Sequence, residues 1–190
     1  MFGRTNEDIV KYLIGKQPDK QLVLKCQNEK EAIYRQMCAD DKENVKLAKG
    51  AVEFLNYLCE NDIPHTIATM SEEVNVKFFI KEFGLEKWFD VSKIVYDNGK
   101  IKGKPEPDIY EIAAKNLELQ PQECIVVEDA VSGIESARRA GIGKIVAIES
   151  METRELYSKL PAVNAIIADF DEFNSCLLYT SPSPRDSTSS

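Results

Sequence analysis

The stretch Ile125-Val126-Val127-Glu128-Asp129-Ala130-Val131-Ser132-Gly133-Ile134-Glu135-Ser136-Ala137-Arg138-Arg139-Ala140-Gly141-Ile142 decides the fold. It opens on an uninterrupted apolar run, meets an acidic pair, and continues as an amphipathic helix that Gly141 can close. A run apolar on both faces marks a strand buried in a parallel sheet, because helices cover that sheet on both sides. A second such run follows at 144–148. Strand, helix and strand in this order form one crossover unit.

The same alternation extends outward from this unit. Upstream, helical periodicity covers 51–60, 73–83 and 107–117, with Gly84 closing the second. Strand-like runs lie between these helices at 66–70 and 91–96. Downstream, a helix is expected over 151–160 and a last strand over 165–168. Strands alternating with helices of this length predict an α/β fold, a Rossmann-like, doubly wound, mostly parallel sheet. The first 40 residues differ. Asn6 can cap a helix carrying Ile9, Val10, Leu13 and Ile14, which Gly15 can end. A longer helix over about 19–39 follows, with no strand signal between the two.

The bulk composition narrows the function. The chain has 190 residues, 24 Lys+Arg against 32 Asp+Glu, and a formal charge of -8. An acidic balance disfavours non-specific nucleic-acid binding and anionic membranes, both of which need a basic face. No apolar run approaches the roughly 20 residues of a membrane span. Residues 1–15 lack the layout of a signal peptide. The five cysteines, none in a Cys-x-x-Cys pair, then read as reduced cytoplasmic thiols. The end, 177–190, reads LLYTSPSPRDSTSS. It lacks any period, predicts a disordered tail, and looks like translated cloning-adaptor sequence.

Ligands of an open parallel sheet bind beyond the carboxyl ends of its strands. After Thr66-Ile67-Ala68 come Thr69, Met70 and Ser71, and after Ile125-Val126-Val127 come Glu128 and Asp129. Ahead of the helix at 107 stands Gly103-Lys104-Pro105-Glu106-Pro107-Asp108. A hydroxyl and a lysine can bind a phosphoryl group. An acidic pair can hold a hard cation such as Mg²⁺ through oxygen. Each residue also has an ordinary reading. Thr69 can be a helix N-cap, Lys104 a solvated loop lysine, and Glu128-Asp129 a capping pair. Their coincidence in this order favours a site.

The stretches IATMS (67–71), GKPEPDIY (103–110) and 125–142 resemble the second, third and fourth motifs of the haloacid-dehalogenase superfamily. The branch they resemble holds β-phosphoglucomutase and the small sugar-phosphate phosphatases. The resemblance implies a helical cap at 1–45, an α/β core at 46–176 and Mg²⁺-assisted phosphoryl transfer through an aspartyl-phosphate. By match, Thr69 would bind the transferring phosphoryl group and Lys104 would neutralise its charge. Asp129 would help hold Mg²⁺, with Glu128 as a nearer or outer partner, and Gly133 would let the backbone approach the metal loop. Ser71 would contact substrate, as would Arg4 and Lys30 from the cap.

One departure matters. The superfamily's first motif, Asp-x-Asp-x-Thr or Val on an apolar strand, is absent. Asp169-Phe170-Asp171 follows an apolar run but continues as Glu172-Phe173, and it matches the last strand of the fold. The expectation is an N-terminally truncated chain without the central first strand, its nucleophile or its acid/base aspartate. Two inner strand edges then lack partners, so the chain should fold poorly or keep an apolar gap. It should also be inactive itself.

For the full-length protein the resemblance implies a monomeric phosphatase acting on a small phosphorylated metabolite. Asn6 and Glu72 stand where a mutase would carry cations for a second phosphate, which disfavours the mutase alternative. A pseudoenzyme serving as a binding module is a further alternative, and so is a receiver-like phosphate-binding protein. The cap, the Lys-Pro-x-Pro-Asp run and the Glu-Asp pair argue against the last.

Overall fold

The computed structural model describes residues 10–12 and 14–173. The chain divides into two compact units, Met1–Lys46 and Leu47–Ser190.

In the first unit, residues 10–12 and 14 are helical, and Gly15, at φ 68°, ends the turn by donating to Lys11 O at 3.0 Å. The cap expected at Asn6, with Ile9 and Leu13, lies outside the described residues. Helix α1 covers Lys20–Asp40. Its N-cap Asp19 accepts from the Leu22 N–H at 2.8 Å, which satisfies one of the donors orphaned at a helix start. Cys38 is buried, whereas Leu24, Ile33, Tyr34 and Met37 stand exposed.

The second unit alternates helix and strand as the sequence predicts. Its elements are α2 (Ala51–Glu60), β1 (Ala68–Glu72), α3 (Glu73–Phe83), β2 (Val95–Asp97), α4 (Asp108–Asn116), β3 (Ile125–Glu128), α5 (Val131–Arg139), β4 (Lys144–Ile148), α6 (Arg154–Ser158) and β5 (Ala165–Ile167). Every pairing is parallel. β3 to β5 are in even register, Val126 facing Ile145 and Ala147 facing Ile166. Ile109, Ala113, Ile134, Ala137, Ile145 and Tyr157 form the core cluster against which α4 and α5 pack. Each fully buried side chain of the Ile109 kind contributes roughly 1.5–3 kcal/mol.

Several boundaries depart from the sequence reading. The first strand starts at Ala68 rather than 66 and runs on through Glu72. Asp90 caps a 3-10 turn at Val91–Lys93 through the Ser92 N–H, so β2 begins only at Val95. The helix expected over 151–160 is confined to Arg154–Ser158, because Thr153 caps it by accepting from Leu156 N. His65 is structural: its two ring nitrogens lie 2.7 Å from the carbonyl oxygens of Ile63 and Trp88.

The strands form two sheets instead of one. Among the described residues, β1 pairs only with β2, and β3, β4 and β5 make a separate sheet in that order. Between them lies a cleft of about 670 Å³. Its walls carry Ile67, Ala68 at the start of β1, Ile125 to Glu128 of β3, and apolar side chains of α2 and α4. No residue of β2, β4 or β5 lines it, and the whole of β3 does, along the edge that has no strand neighbour among the described residues.

Candidate active site

Both strands that flank the cleft end in polar residues. In β1, Ala68 pairs with Val95 and Glu72 with Asp97, so four steps along one strand match two along the other. This bulge holds Thr69, Met70 and Ser71. Bulges re-aim side chains in this way where a strand must present a functional group. Thr69 Oγ1 accepts from the Ser71 N–H at 3.1 Å and keeps its own proton to donate. The N-cap of α3 is Glu72, not Thr69, so the capping reading of Thr69 does not hold.

At the end of β3, the Glu128 carboxylate is 7% exposed and organises its surroundings. Oε1 accepts from Lys104 Nζ and, at 2.7 Å, from the Tyr110 hydroxyl. Oε2 accepts from the backbone N–H groups of Asp129 at 2.9 Å and Ala130 at 3.0 Å. Burial pushes the Glu128 carboxyl up, but Lys104, Tyr110 and the Ala130 N–H together outweigh this and hold it below its ordinary value. Burial first, then the charge of Glu128, raises the Tyr110 phenol, so it stays a neutral donor. Lys104 is 16% exposed and lies 5.1 Å from the Tyr110 ring centroid, a buried ion pair rather than a solvated loop lysine.

Gly133 brings the backbone of α5 against the residues that end β3. A Cβ there would overlap the Glu128 carboxylate. The glycine makes room for that side chain. α5 also fastens the loop that carries Lys104. Ser136, fully buried, donates to Glu106 O at 2.6 Å, and Arg139 pairs with the Glu106 carboxylate at 3.1 Å. Asp129 is held from two sides. Its Oδ2 accepts from Ser150 Oγ at 2.7 Å, and its carbonyl accepts from the buried Tyr157 hydroxyl. Tyr110 and Ser136 lie inside the two quoted motifs but have no role in the sequence reading, and Ser150 and Tyr157 lie outside any motif. Each acts across at least 18 residues of chain.

The structure thus joins Lys104, Glu128 and the Asp129 loop at one strand end, and Thr69 with Ser71 at the other. Arg4 lies outside the described residues. Lys30 lies on α1 in the first unit, where its Nζ is 2.9 Å from Glu31 Oε1. Asp169 follows β5, which β4 separates from β3, and its carboxylate accepts from Lys49 Nζ at 3.1 Å and from Asp171 N.

Mg²⁺ needs near-octahedral oxygen coordination. Both Glu128 oxygens are engaged, and among the described residues no three His, Cys, Asp or Glu side chains gather to hold a metal. Asp129 is one carboxylate of the required kind, so these residues do not form a Mg²⁺ site by themselves. Among them, no helix is long and apolar enough to cross a membrane.

A family profile for haloacid dehalogenase-like hydrolases matches residues 2–141. The chain belongs to this family of hydrolases. It is 30% identical over 122 residues to a phosphorylated carbohydrates phosphatase of Thermotoga maritima, covering 64% of this chain and 56% of the relative. It is 34% identical over 119 residues to hexitol phosphatase A of Escherichia coli, covering 62% and 53%. The chain therefore spans about half the length of these curated relatives. Among solved structures, a family IA, variant 3 hydrolase of Entamoeba histolytica superposes with a TM-score of 0.86 at 37% identity, covering 93% of this chain and 78% of that one.

Proposed function

We propose that this chain supplies the phosphate-binding and charge-neutralising half of a phosphatase that acts on small phosphorylated metabolites of the sugar-phosphate class. The observation that carries this reading is the buried Lys104–Glu128 pair at the carboxyl end of β3. A buried ammonium fixed by a carboxylate is a preorganised charge, which stabilises an oxyanion without reorganising during the reaction. The Thr69 hydroxyl adds a donor for a phosphoryl oxygen. Phosphatases among the relatives support the substrate class.

Phosphoryl transfer through an aspartyl-phosphate also needs an attacking carboxylate in line with the leaving group. No described acidic side chain besides Glu128 lines the cleft near the two strand ends, and Glu128 is fully engaged. On this reading the nucleophile comes from a strand seated between β1 and β3, Mg²⁺ belongs to the site so assembled, and the chain alone is inactive. The coding sequence ahead of Met1 tests it. An in-frame apolar strand ending in Asp-x-Asp supports the reading, and an in-frame stop codon directly ahead contradicts it.

A further inference from the structure

The turn that leaves β2 carries two side chains folded back onto their own backbone. Asp97 ends β2, and its Oδ1 accepts from the Gly99 N–H at 2.8 Å. Asn98 Oδ1 accepts from the Lys100 N–H at 3.0 Å. Asp and Asn make such turns because their short side chains reach the backbone two residues on. Asn98, Gly99 and Lys100 are all exposed. Gly99, at φ 74°, has no side chain, and the space where one would stand is open. Asn98 is the one asparagine of the chain that a glycine follows. The other described asparagines precede residues with side chains, and three of them are further held. Asn75 is buried, Asn116 Nδ2 donates to Lys93 O at 3.1 Å, and Asn164 Oδ1 accepts from the Ile145 N–H at 2.7 Å.

We propose that Asn98 is a site of spontaneous covalent modification, its amide lost by attack of the Gly99 nitrogen, with Asp97 as the brake on the rate. The Gly99 nitrogen bonds to Asn98 Cγ, and the Cγ–Nδ2 bond breaks. Nδ2 leaves as ammonia with the proton that Gly99 gives up. Water, the sole co-reactant, then opens the cyclic imide at either carbonyl. One product is an aspartyl residue, the other an isoaspartyl link that runs the main chain through Cγ. The two turn bonds act in opposite senses. The Lys100 N–H already donates to the oxygen that gains negative charge as Cγ becomes tetrahedral. The Asp97 carboxylate holds the proton that must leave Gly99, and its charge opposes the amide anion that would form beside it. Either product adds a carboxylate beside Asp97, and the isoaspartyl link also adds a carbon to the main chain. That change falls between Asp97, paired with Glu72 across the sheet, and Ile101, packed on the core cluster. The inference rests on this turn and does not depend on the phosphatase reading.

Incubation of the full chain at neutral pH and physiological temperature, followed by peptide mass spectrometry, tests it. One readout is the mass gain of amide-to-carboxyl conversion at each asparagine. The other is methylation of isoaspartyl carboxyls by protein-isoaspartate methyltransferase. Both products should accumulate at Asn98 while the other described asparagines keep their amides. Gly99→Ala should suppress the conversion. Asp97→Ala should speed it at least about threefold in the chain, the effect of freeing one hydrogen-bonded donor. Asp97→Asn, which keeps an acceptor oxygen without the charge, should fall between the two. In the synthetic peptide Val-Tyr-Asp-Asn-Gly-Lys-Ile, which is too short to hold the turn, replacing the aspartate with alanine should change the rate much less. An Asn98 that stays intact in the chain while the peptide converts would overturn the inference, as would equal conversion at the other asparagines. An Asp97→Ala effect that is absent from the chain, or equal in chain and peptide, would show that the dipeptide alone sets the rate and overturn the role of Asp97.

Discussion

Gly133 and Glu128 occupy one space: the Glu128 carboxylate lies where a side chain at position 133 would begin. The carboxylate in turn holds Lys104, Tyr110 and the Asp129 loop, so a glycine in a helix fixes the electrostatics of the site. Gly133→Ala should gain up to about 1 kcal/mol of helix propensity. It should lose more by displacing the carboxylate, since breaking a buried ion pair costs about 3–5 kcal/mol. A net loss of about 2–4 kcal/mol in urea denaturation is expected. An increase in stability would show that the carboxylate has somewhere else to go.

Glu128 sets an acid limit on the fold. Its carboxyl is held below the ordinary 4.5 in the folded state. The folded state therefore gains stability above the unfolded value, and that gain disappears as pH falls through the lower, folded value. Stability should drop steeply below about pH 4.5. In Glu128→Gln this contribution to the acid limb should vanish, while stability at neutral pH falls because Lys104 loses its counter-charge. Thermal melts of both proteins between pH 3 and 7 would check this. Parallel acid limbs would contradict it.

Ser136 reaches from α5 to the loop that presents Lys104. Ser136→Ala removes one buried hydrogen bond and should cost about 1 kcal/mol in stability. Ser136→Thr keeps the hydroxyl but adds a methyl at a position with no exposure, so it should not restore the loss. Tm values of the two variants give the comparison.

Tyr157 donates to the Asp129 carbonyl from a fully buried position. Tyr157→Phe should keep the packing, lose about 1 kcal/mol and loosen the loop that carries Asp129. Hydrogen exchange should rise at Asp129 and Ala130 and stay unchanged in β4. Uniform exchange across both would show a general loss of stability instead.

The crossover unit was readable in the sequence because each of its features is local. Ile125-Val126-Val127 is a buried strand by composition alone, and Gly141 ends a helix by conformation alone. The rule for parallel sheets places Glu128 and Asp129 at a strand end, and Lys104 stands in the loop ahead of the helix at 107. The bulge in β1 was not readable, because polar Thr69, Ser71 and Glu72 break the apolar pattern while staying in the strand. The partners of Glu128 were not readable either. Tyr110 and Gly133 meet it only after α4 and α5 pack. The cleft was legible only as a missing strand, and its apolar walls come from helices far apart in the chain.

On the proposed reading, the described residues of this chain hold phosphate-binding machinery without an attacking group. Phosphate release from hexose and hexitol phosphates by the chain, with and without Mg²⁺, tests it most directly. Release at the buffer background in both conditions is predicted. Mg²⁺-dependent turnover that Lys104→Ala abolishes would contradict it, because the chain would then carry a nucleophile of its own.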